Sequence, residues 1–174
     1  MTNDLPRIAL AVRQPWAWAI IHGGKNIENR NKHAINLGGM KPGRIAILAS
    51  KGMQRREYEH ARDFMQSIGV QCPRPDELVR GGVIGSVTVT DIINESDSPW
   101  FFGPWGLVLS DPEPAALPLP ASGQLGYFKW ETDLDLDFED PSRWMKAWPD
   151  GHRPHREGPV QGPPAPASMP LFGK

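Results

Sequence analysis

The apolar residues of this chain lie in short runs separated by glycine or proline, and this pattern constrains the fold most. Ile8–Val12 and Arg44–Ser50 have the length and composition of short buried strands. Val83–Ile93 alternates valine with threonine, as a half-buried strand does. Trp105–Leu109 and Leu125–Trp130 predict two further short strands. The sequence therefore predicts about five strands.

Two segments between these strands have the spacing of helices. The first opens at Gln14-Pro15-Trp16, where proline is tolerated at the first helical position, and its apolar residues recur four apart until Gly23–Gly24. The second covers Arg56–Ile68 and stops at Gly69. Two helices inserted among short strands predict an α+β fold, a small mixed β-barrel, rather than a regular array of β–α–β units.

Charge is divided unevenly along the chain, although the formal net charge is only −1. The segment from Arg13 to Arg56 holds nine lysines or arginines and a single acid, Glu28. From Glu57 to Trp130, ten acids stand against four basic residues. The basic segment predicts one electropositive region that binds an anion. The alternative is a solvated basic surface without a partner.

Cys72 is the single cysteine, which excludes a disulfide framework and a cysteine-based zinc site. The five histidines are scattered along the sequence, so we expect no metal and no cofactor. The N-terminal residues MTNDLPRIAL lack the apolar segment of a signal peptide. No apolar run approaches the ~20 residues that span a bilayer. We therefore expect no membrane association and a cytoplasmic location.

The composition changes at Glu131, which predicts a domain over residues 1–130 and a C-terminal extension over residues 131–174. The extension begins with an acidic run of Asp133, Asp135, Asp137, Glu139 and Asp140. Residues 151–174 contain six prolines and four glycines, a composition that predicts a flexible tail. Trp144 and Trp148 stand four apart and predict a short helix that packs back onto the domain.

An ordered set of motifs fills the basic segment: Arg13-Gln14-Pro15-Trp16, then Gly24-Lys25-x-x-Glu28-x-Arg30, then Ser50-Lys51-Gly52. In an extended strand Glu28 and Arg30 share one face, where Glu28 can orient Arg30 or Lys25 through a charge-assisted bond. The guanidinium of Arg30 suits a phosphate or a base edge, and Trp16 offers a stacking surface. The structural alternatives are an ion-pair network of these three charges and a core position for Trp16.

These motifs, in this order, resemble those of the ASCH domain family, whose fold is PUA-like. The string Gly-Lys-x-x-Glu-x-Arg is the most diagnostic of them, and Gly82–Gly85 and Gly103–Gly106 resemble later strands of the same domain. The resemblance covers roughly residues 8–130. It implies a PUA-like β-barrel with a basic cleft that binds RNA or a nucleotide. The expected ligand-binding residues are Arg13, Gln14, Trp16, Lys25, Arg30 and Lys51.

The resemblance also implies a second class of function, a metal-independent enzyme acting on RNA or a modified nucleoside. One group of ASCH proteins hydrolyses N4-acetylcytidine with the motif lysine, a threonine three residues later and a distal glutamate. Another has been associated with ribonuclease activity. Lys25 matches the lysine, but Glu28 occupies the threonine position, where that hydrolysis needs a hydroxyl group. The candidate catalytic residues are Lys25, Glu28 and Ser50, and binding without catalysis is the preferred interpretation.

A third hypothesis concerns the tail. The residues Ser168, Met169, Pro170, Leu171 and Phe172 are loosely similar to the Leu-Phe peptides that bacterial proteins insert into the DNA sliding clamp. Ser168 stands where such peptides usually have glutamine. The pattern predicts a docking site for a protein partner, and the alternative is a chance match.

Overall fold

A computed structural model describes residues 4–151 of the chain. This part contains six strands, four α-helices and one short 3-10 helix. In chain order the elements are β1 (Ile8–Val12), α1 (Trp16–His22), β2 (Ile27–Arg30), α2 (Lys32–Leu37), β3 (Gly43–Ala49), α3 (Arg55–Ser67), the 3-10 helix (Pro75–Glu77), β4 (Gly82–Ile93), β5 (Trp105–Pro120), β6 (Tyr127–Lys129) and α4 (Arg143–Ala147). The predicted α+β class is confirmed.

The six strands form one sheet in the order β2-β5-β4-β3-β1-β6. β1 and β3 are parallel, whereas the other neighbouring pairs are antiparallel. The register shifts between Ile47 and Leu48 in the β3–β4 pair, and at three places in the β4–β5 pair. Irregularities of this kind bend strands and increase their twist. The sheet accordingly curls into a half-barrel.

The side chain of Arg30 crosses the open side of this half-barrel. β2 lies at one end of the sheet, and β1 is next to the other end. β6 pairs with β1 only over Ile8–Leu10, so it does not use the carbonyl group of Ala11. Arg30 donates a hydrogen bond from Nη2 to that carbonyl oxygen at 3.1 Å. A single guanidinium thus connects strands that are distant in the order of the sheet.

Helix α1 provides the apolar face that covers the inside of the sheet. Trp16, Ala17, Ile20 and Ile21 are buried there, as their spacing of three and four residues predicts. They join the main core, which also contains residues of β3, β4 and β5. The helix therefore places Trp16, at its first position, inside the molecule.

The five predicted strands do not include β2, and the predictions also miss α2 and the second half of β5. α2 has only six residues, and Asn31 starts it by accepting a hydrogen bond from the Ala34 amide at 2.7 Å. β5 continues to Pro120 through several prolines. In the described sheet β2 pairs only with residues 105–108 of β5, so the later residues have β4 on one side and no strand on the other. Prolines are tolerated in such an edge because missing N–H groups can face outward.

The C-terminal extension packs onto the domain as far as it is described. Helix α4 is the predicted short helix, and the rings of Trp144 and Trp148 lie 6.0 and 5.4 Å from that of Tyr58. Apart from Gly151, the predicted flexible tail lies outside the described residues, and so does the Ser168–Phe172 motif within it. Between residues 4 and 151, no helix is long and apolar enough to cross a membrane.

Candidate functional site

The parallel pairing of β1 and β3 brings two motif segments to the same edge of the sheet. Val12 is opposite Ala49, so both strands end at the same level. The Ser50 amide donates a hydrogen bond to the Val12 carbonyl at 3.0 Å. Residues 13–16 and 50–52 therefore leave the sheet side by side, so two motif segments that are distant in the sequence are neighbours in the structure.

Arg13 and Lys51 provide cations at this edge. Arg13 is 31% exposed and forms an ion pair with Glu57 at 2.6 Å. Its Nη1 atom lies 2.9 Å from the point where a Cβ on Gly52 would stand, so a glycine makes room for the guanidinium. Lys51 is exposed, and its side chain packs against Gly81. Ser50 is half-buried and directly precedes Lys51.

Gln14 is buried and acts as a connector at the same edge. Its Nε2 donates to the Val79 carbonyl at 2.8 Å, and its Oε1 accepts from the Trp18 amide at 2.9 Å. Both ends of the amide are therefore engaged with protein. These two hydrogen bonds hold α1 against the segment before β4. The role of Gln14 in ligand binding stays a prediction.

Lys25, Glu28 and Arg30 form a buried charge triad. Their exposed fractions are 3%, 0% and 5%. Glu28 Oε2 lies 3.1 Å from Lys25 Nζ, and Oε1 lies 3.4 Å from Arg30 Nη2. Lys25 also donates to the Ile27 carbonyl. The two-residue strand period that puts Glu28 and Arg30 on one face is confirmed by β2, and that face points inward.

The triad carries one more positive than negative charge. Within residues 4–151, the ion pairs of Lys25 and Arg30 both end on Glu28. Burial lowers the pKa of Lys25 below its ordinary value, and the Glu28 carboxylate opposes this shift by favouring the ammonium form. In the same part of the chain, the buried Nε of Arg30 and both carboxylate oxygens of Glu28 have no hydrogen-bond partner.

The wider basic segment is not one continuous patch. Five of its nine cations form ion pairs: Lys25 and Arg30 with Glu28, Arg13 with Glu57, Arg44 with Glu113, and Arg55 with Glu59. Glu57, Glu59 and Glu113 lie outside the segment, and the fold brings them to it. The other four cations, Lys32, Lys41, Lys51 and Arg56, are exposed. Linear charge segregation therefore overstates the electropositive surface.

An aromatic cluster lies over the triad. The Trp16 ring is 3% exposed, and its centroid lies 5.7 Å from Lys25 Nζ. Phe64 of α3, together with Trp100 and Phe102 of the loop between β4 and β5, packs on Trp16 with centroids 6.1 to 6.4 Å away. Trp16 is thus a core residue and, at the same time, the ring nearest to the buried ammonium.

Asn29 fixes the aromatic loop to β2, a role that the sequence does not reveal. It is fully buried, donates from Nδ2 to the Trp100 carbonyl at 2.8 Å, and accepts from the Phe102 amide at 2.8 Å. Its neighbours Glu28 and Arg30 belong to the triad, so β2 positions two of the triad charges and also holds the loop that carries Trp100 and Phe102.

Within residues 4–151 no cluster of histidine, cysteine, aspartate or glutamate could hold a metal ion. The family model for the ASCH domain matches residues 10–141. The chain belongs to the ASCH domain family. Its PUA-like fold agrees with the curled sheet and its helices, and the match extends beyond the domain end predicted at residue 130. A search of curated proteins found no match.

The ASCH motif residues fall into two adjacent groups. Lys25, Glu28, Arg30 and Trp16 form the buried group. Arg13, Ser50 and Lys51 form the edge group at the ends of β1 and β3. Arg30 bonds to Ala11, two residues before Arg13, so β1 links the two groups.

Proposed function

We propose that this ASCH domain binds RNA or a nucleotide at the edge of β1 and β3. Arg13 and Lys51 attract the phosphates, and the triad, which Arg30 links to β1 through the Ala11 carbonyl, supplies a further positive charge. The observation that supports this most is the triad's uncompensated charge at three nearly inaccessible side chains. Family membership supports the ligand class, since an ASCH domain is consistent with RNA binding.

The physical reason is the cost of burying charge without a partner. An uncompensated ion inside a protein costs several kcal/mol, and a protein can relieve this by deprotonation or by binding a counter-ion. Burial lowers the pKa of Lys25, and a negative charge nearby opposes that shift, as Glu28 already does. An anionic ligand restores the balance while Lys25 stays protonated.

Salt-dependent binding of a labelled 20-nucleotide RNA without secondary structure tests this proposal. Fluorescence anisotropy at 50 to 300 mM salt gives the slope of log affinity against log salt. Each phosphate contact contributes roughly 0.7 to the slope for a single strand. Lys51→Ala and Arg13→Ala should each lower the affinity and reduce the slope by about that amount.

Lys129→Ala is the matched control, because it removes another exposed lysine, at the opposite end of β1, where Lys129 pairs with Ile8. It should leave the slope unchanged. Absence of RNA retention even at 50 mM salt would refute the proposal. Equal losses for Lys51→Ala and Lys129→Ala would show that binding is not localised at this edge.

A catalytic role is the second candidate, and the environment of Lys25 favours it. A buried lysine with a lowered pKa beside a carboxylate is a common arrangement for general acid–base chemistry. In RNA cleavage Glu28 would accept the 2′-hydroxyl proton, and the 2′-oxygen would bond to phosphorus as the bond from phosphorus to the 5′-oxygen breaks. In deacetylation Glu28 would accept a proton from water, whose oxygen would bond to the acetyl carbon as the cytidine amine leaves with that proton. In both reactions the triad cations would stabilise the developing negative charge. Lys25→Met keeps the side-chain length and removes the amine.

Incubation of wild type and Lys25→Met with total RNA and with N4-acetylcytidine separates catalysis from binding. Cleavage or deacetylation that disappears in the variant supports an enzyme. If the wild type leaves both substrates intact under conditions where it retains RNA, the binding function stands alone.

A further inference from the structure

A segment of the C-terminal extension lies against the edge group. Residues 133–140, here called the acidic strap, contain five acids and no lysine or arginine, and all five acids are exposed. Phe138 of the strap packs against Gly82, which is opposite Ala49, the last residue of β3. The strap therefore reaches the end of β3 at which the edge group begins.

Arg80 joins the acidic strap to Lys51 through main-chain groups. It is 5% exposed, and its guanidinium donates to the Lys51 carbonyl and, at 2.9 Å, to the Asp140 carbonyl. The Arg80 carbonyl accepts from the Glu139 amide at 2.9 Å. A Cβ on Gly81 would stand 3.3 Å from Lys51 Cγ and 3.6 Å from Glu139 N, so the lysine side chain and the strap flank the same glycine. These contacts fix the strap beside Lys51 without using the carboxylates of Glu139 and Asp140.

Glu139 and Asp140 add two negative charges to the surroundings of Lys51, and all three residues are exposed. The field of Glu139 reaches the contact between strap and domain: burial lowers the pKa of Arg80, and the Glu139 carboxylate opposes that shift. Charges in solvent interact over about 10 Å at 0.1 M salt. A phosphate that approaches Lys51 therefore also approaches two carboxylates that repel it.

We infer that the acidic strap is an electrostatic barrier that limits how tightly the edge group binds a polyanion. This inference rests on the proposed function and concerns the regulation of that same site. Glu139 and Asp140 compete with phosphate for Lys51 and repel the neighbouring phosphates of the same strand. Because the main chain holds both acids in place, the barrier is a property of the folded domain and needs no movement of the strap.

The variant Glu139→Gln/Asp140→Asn tests the inference in the full chain. Each change removes a charge and keeps the shape of the side chain, and the main-chain contacts to Arg80 are retained. Fluorescence anisotropy with the labelled 20-nucleotide RNA should show about threefold tighter binding at 50 mM salt. The gain should largely disappear at 300 mM salt, because the Debye length shortens as ionic strength rises.

Glu95→Gln/Asp97→Asn is the matched control. It removes the same two charges from exposed positions that follow Ile93, at the end of β4 opposite to Gly82. It should leave the affinity unchanged. In a Lys51→Ala background the gain from Glu139→Gln/Asp140→Asn should be smaller than in the wild-type background, because the cation for which the carboxylates compete is absent.

The outcomes separate the inference from the function on which it rests. If the wild type retains no RNA even at 50 mM salt, the proposed function fails, and the inference fails with it. If the wild type binds and Lys51→Ala weakens binding, but Glu139→Gln/Asp140→Asn binds no more tightly, the function stands and the inference is overturned.

Three other results also overturn the inference. An equal gain in the Glu95→Gln/Asp97→Asn control would mean that net charge sets the affinity, wherever on the surface it lies. A gain that persists at 300 mM salt would not be electrostatic. A gain of the same size in the Lys51→Ala background would show that the strap does not act on Lys51.

Discussion

Replacing Glu28 by glutamine removes the negative charge with which both buried cations pair. Lys25 Nζ lies 3.1 Å and Arg30 Nη2 lies 3.4 Å from its carboxylate oxygens, and all three side chains are at most 6% exposed. The variant leaves two positive charges buried together. Removing one partner of a buried ion pair costs about 3–5 kcal/mol, a large part of the roughly 5–15 kcal/mol that stabilises a typical domain.

Urea unfolding followed by tryptophan fluorescence measures this loss, and thermal unfolding should show a fall in Tm of roughly 10 °C. Glu113→Gln is the matched control: it makes the same chemical change and also breaks a 3.4 Å pair with an arginine, Arg44, but Glu113 is 76% exposed. Exposed pairs contribute about 0–1 kcal/mol. Equal losses in the two variants would mean that burial of the triad has no energetic consequence.

The deficit of Glu28→Gln should shrink as the pH rises. Burial already lowers the pKa of Lys25, and the Glu28 carboxylate opposes that shift. Without Glu28 the folded-state pKa falls further, while the unfolded-state pKa stays ordinary. Between these two values the unfolded chain binds more protons, so the free energy of unfolding rises with pH. A deficit that is constant from pH 7 to pH 10 would contradict the reasoning.

Three further predictions concern positions outside the triad. Gly126→Ala should destabilise the protein by about 2 kcal/mol in urea unfolding, because φ is +67° and the new Cβ would stand 2.3 Å from Gly38 Cα. Gly24→Ala is the comparison variant: its φ is +74° but the space around it is open, so it should lower the free energy of unfolding by only about 1 kcal/mol. Trp148→Ala should cost roughly 2 kcal/mol by the same assay, since its ring packs edge-on against Tyr58 at 5.4 Å. Burial raises the pKa of Cys72 to about 12, so a thiol reagent at pH 8 should react slowly with the folded protein and rapidly in urea, and equal rates would contradict this.

The sequence by itself determined the elements with strong local patterns. Ile8–Val12 became β1 because a short apolar run can be buried on both faces, and the spacing of Trp16 and Ile20 predicted the buried side of α1. The motif string around Lys25 pointed to the ASCH family. It also placed Glu28 and Arg30 on one face, since a strand repeats every two residues.

Only the tertiary structure decided what those charges face. A two-residue period states which side chains share a face, but not whether solvent or protein covers it. Trp16 from α1 lies over Lys25, Trp100 from a distant loop packs on Trp16, and the curl of the sheet brings Arg30 to Ala11. Long-range contacts also pair the basic segment with acids from elsewhere. The candidate site is therefore a buried charge under an aromatic cover instead of an open basic cleft.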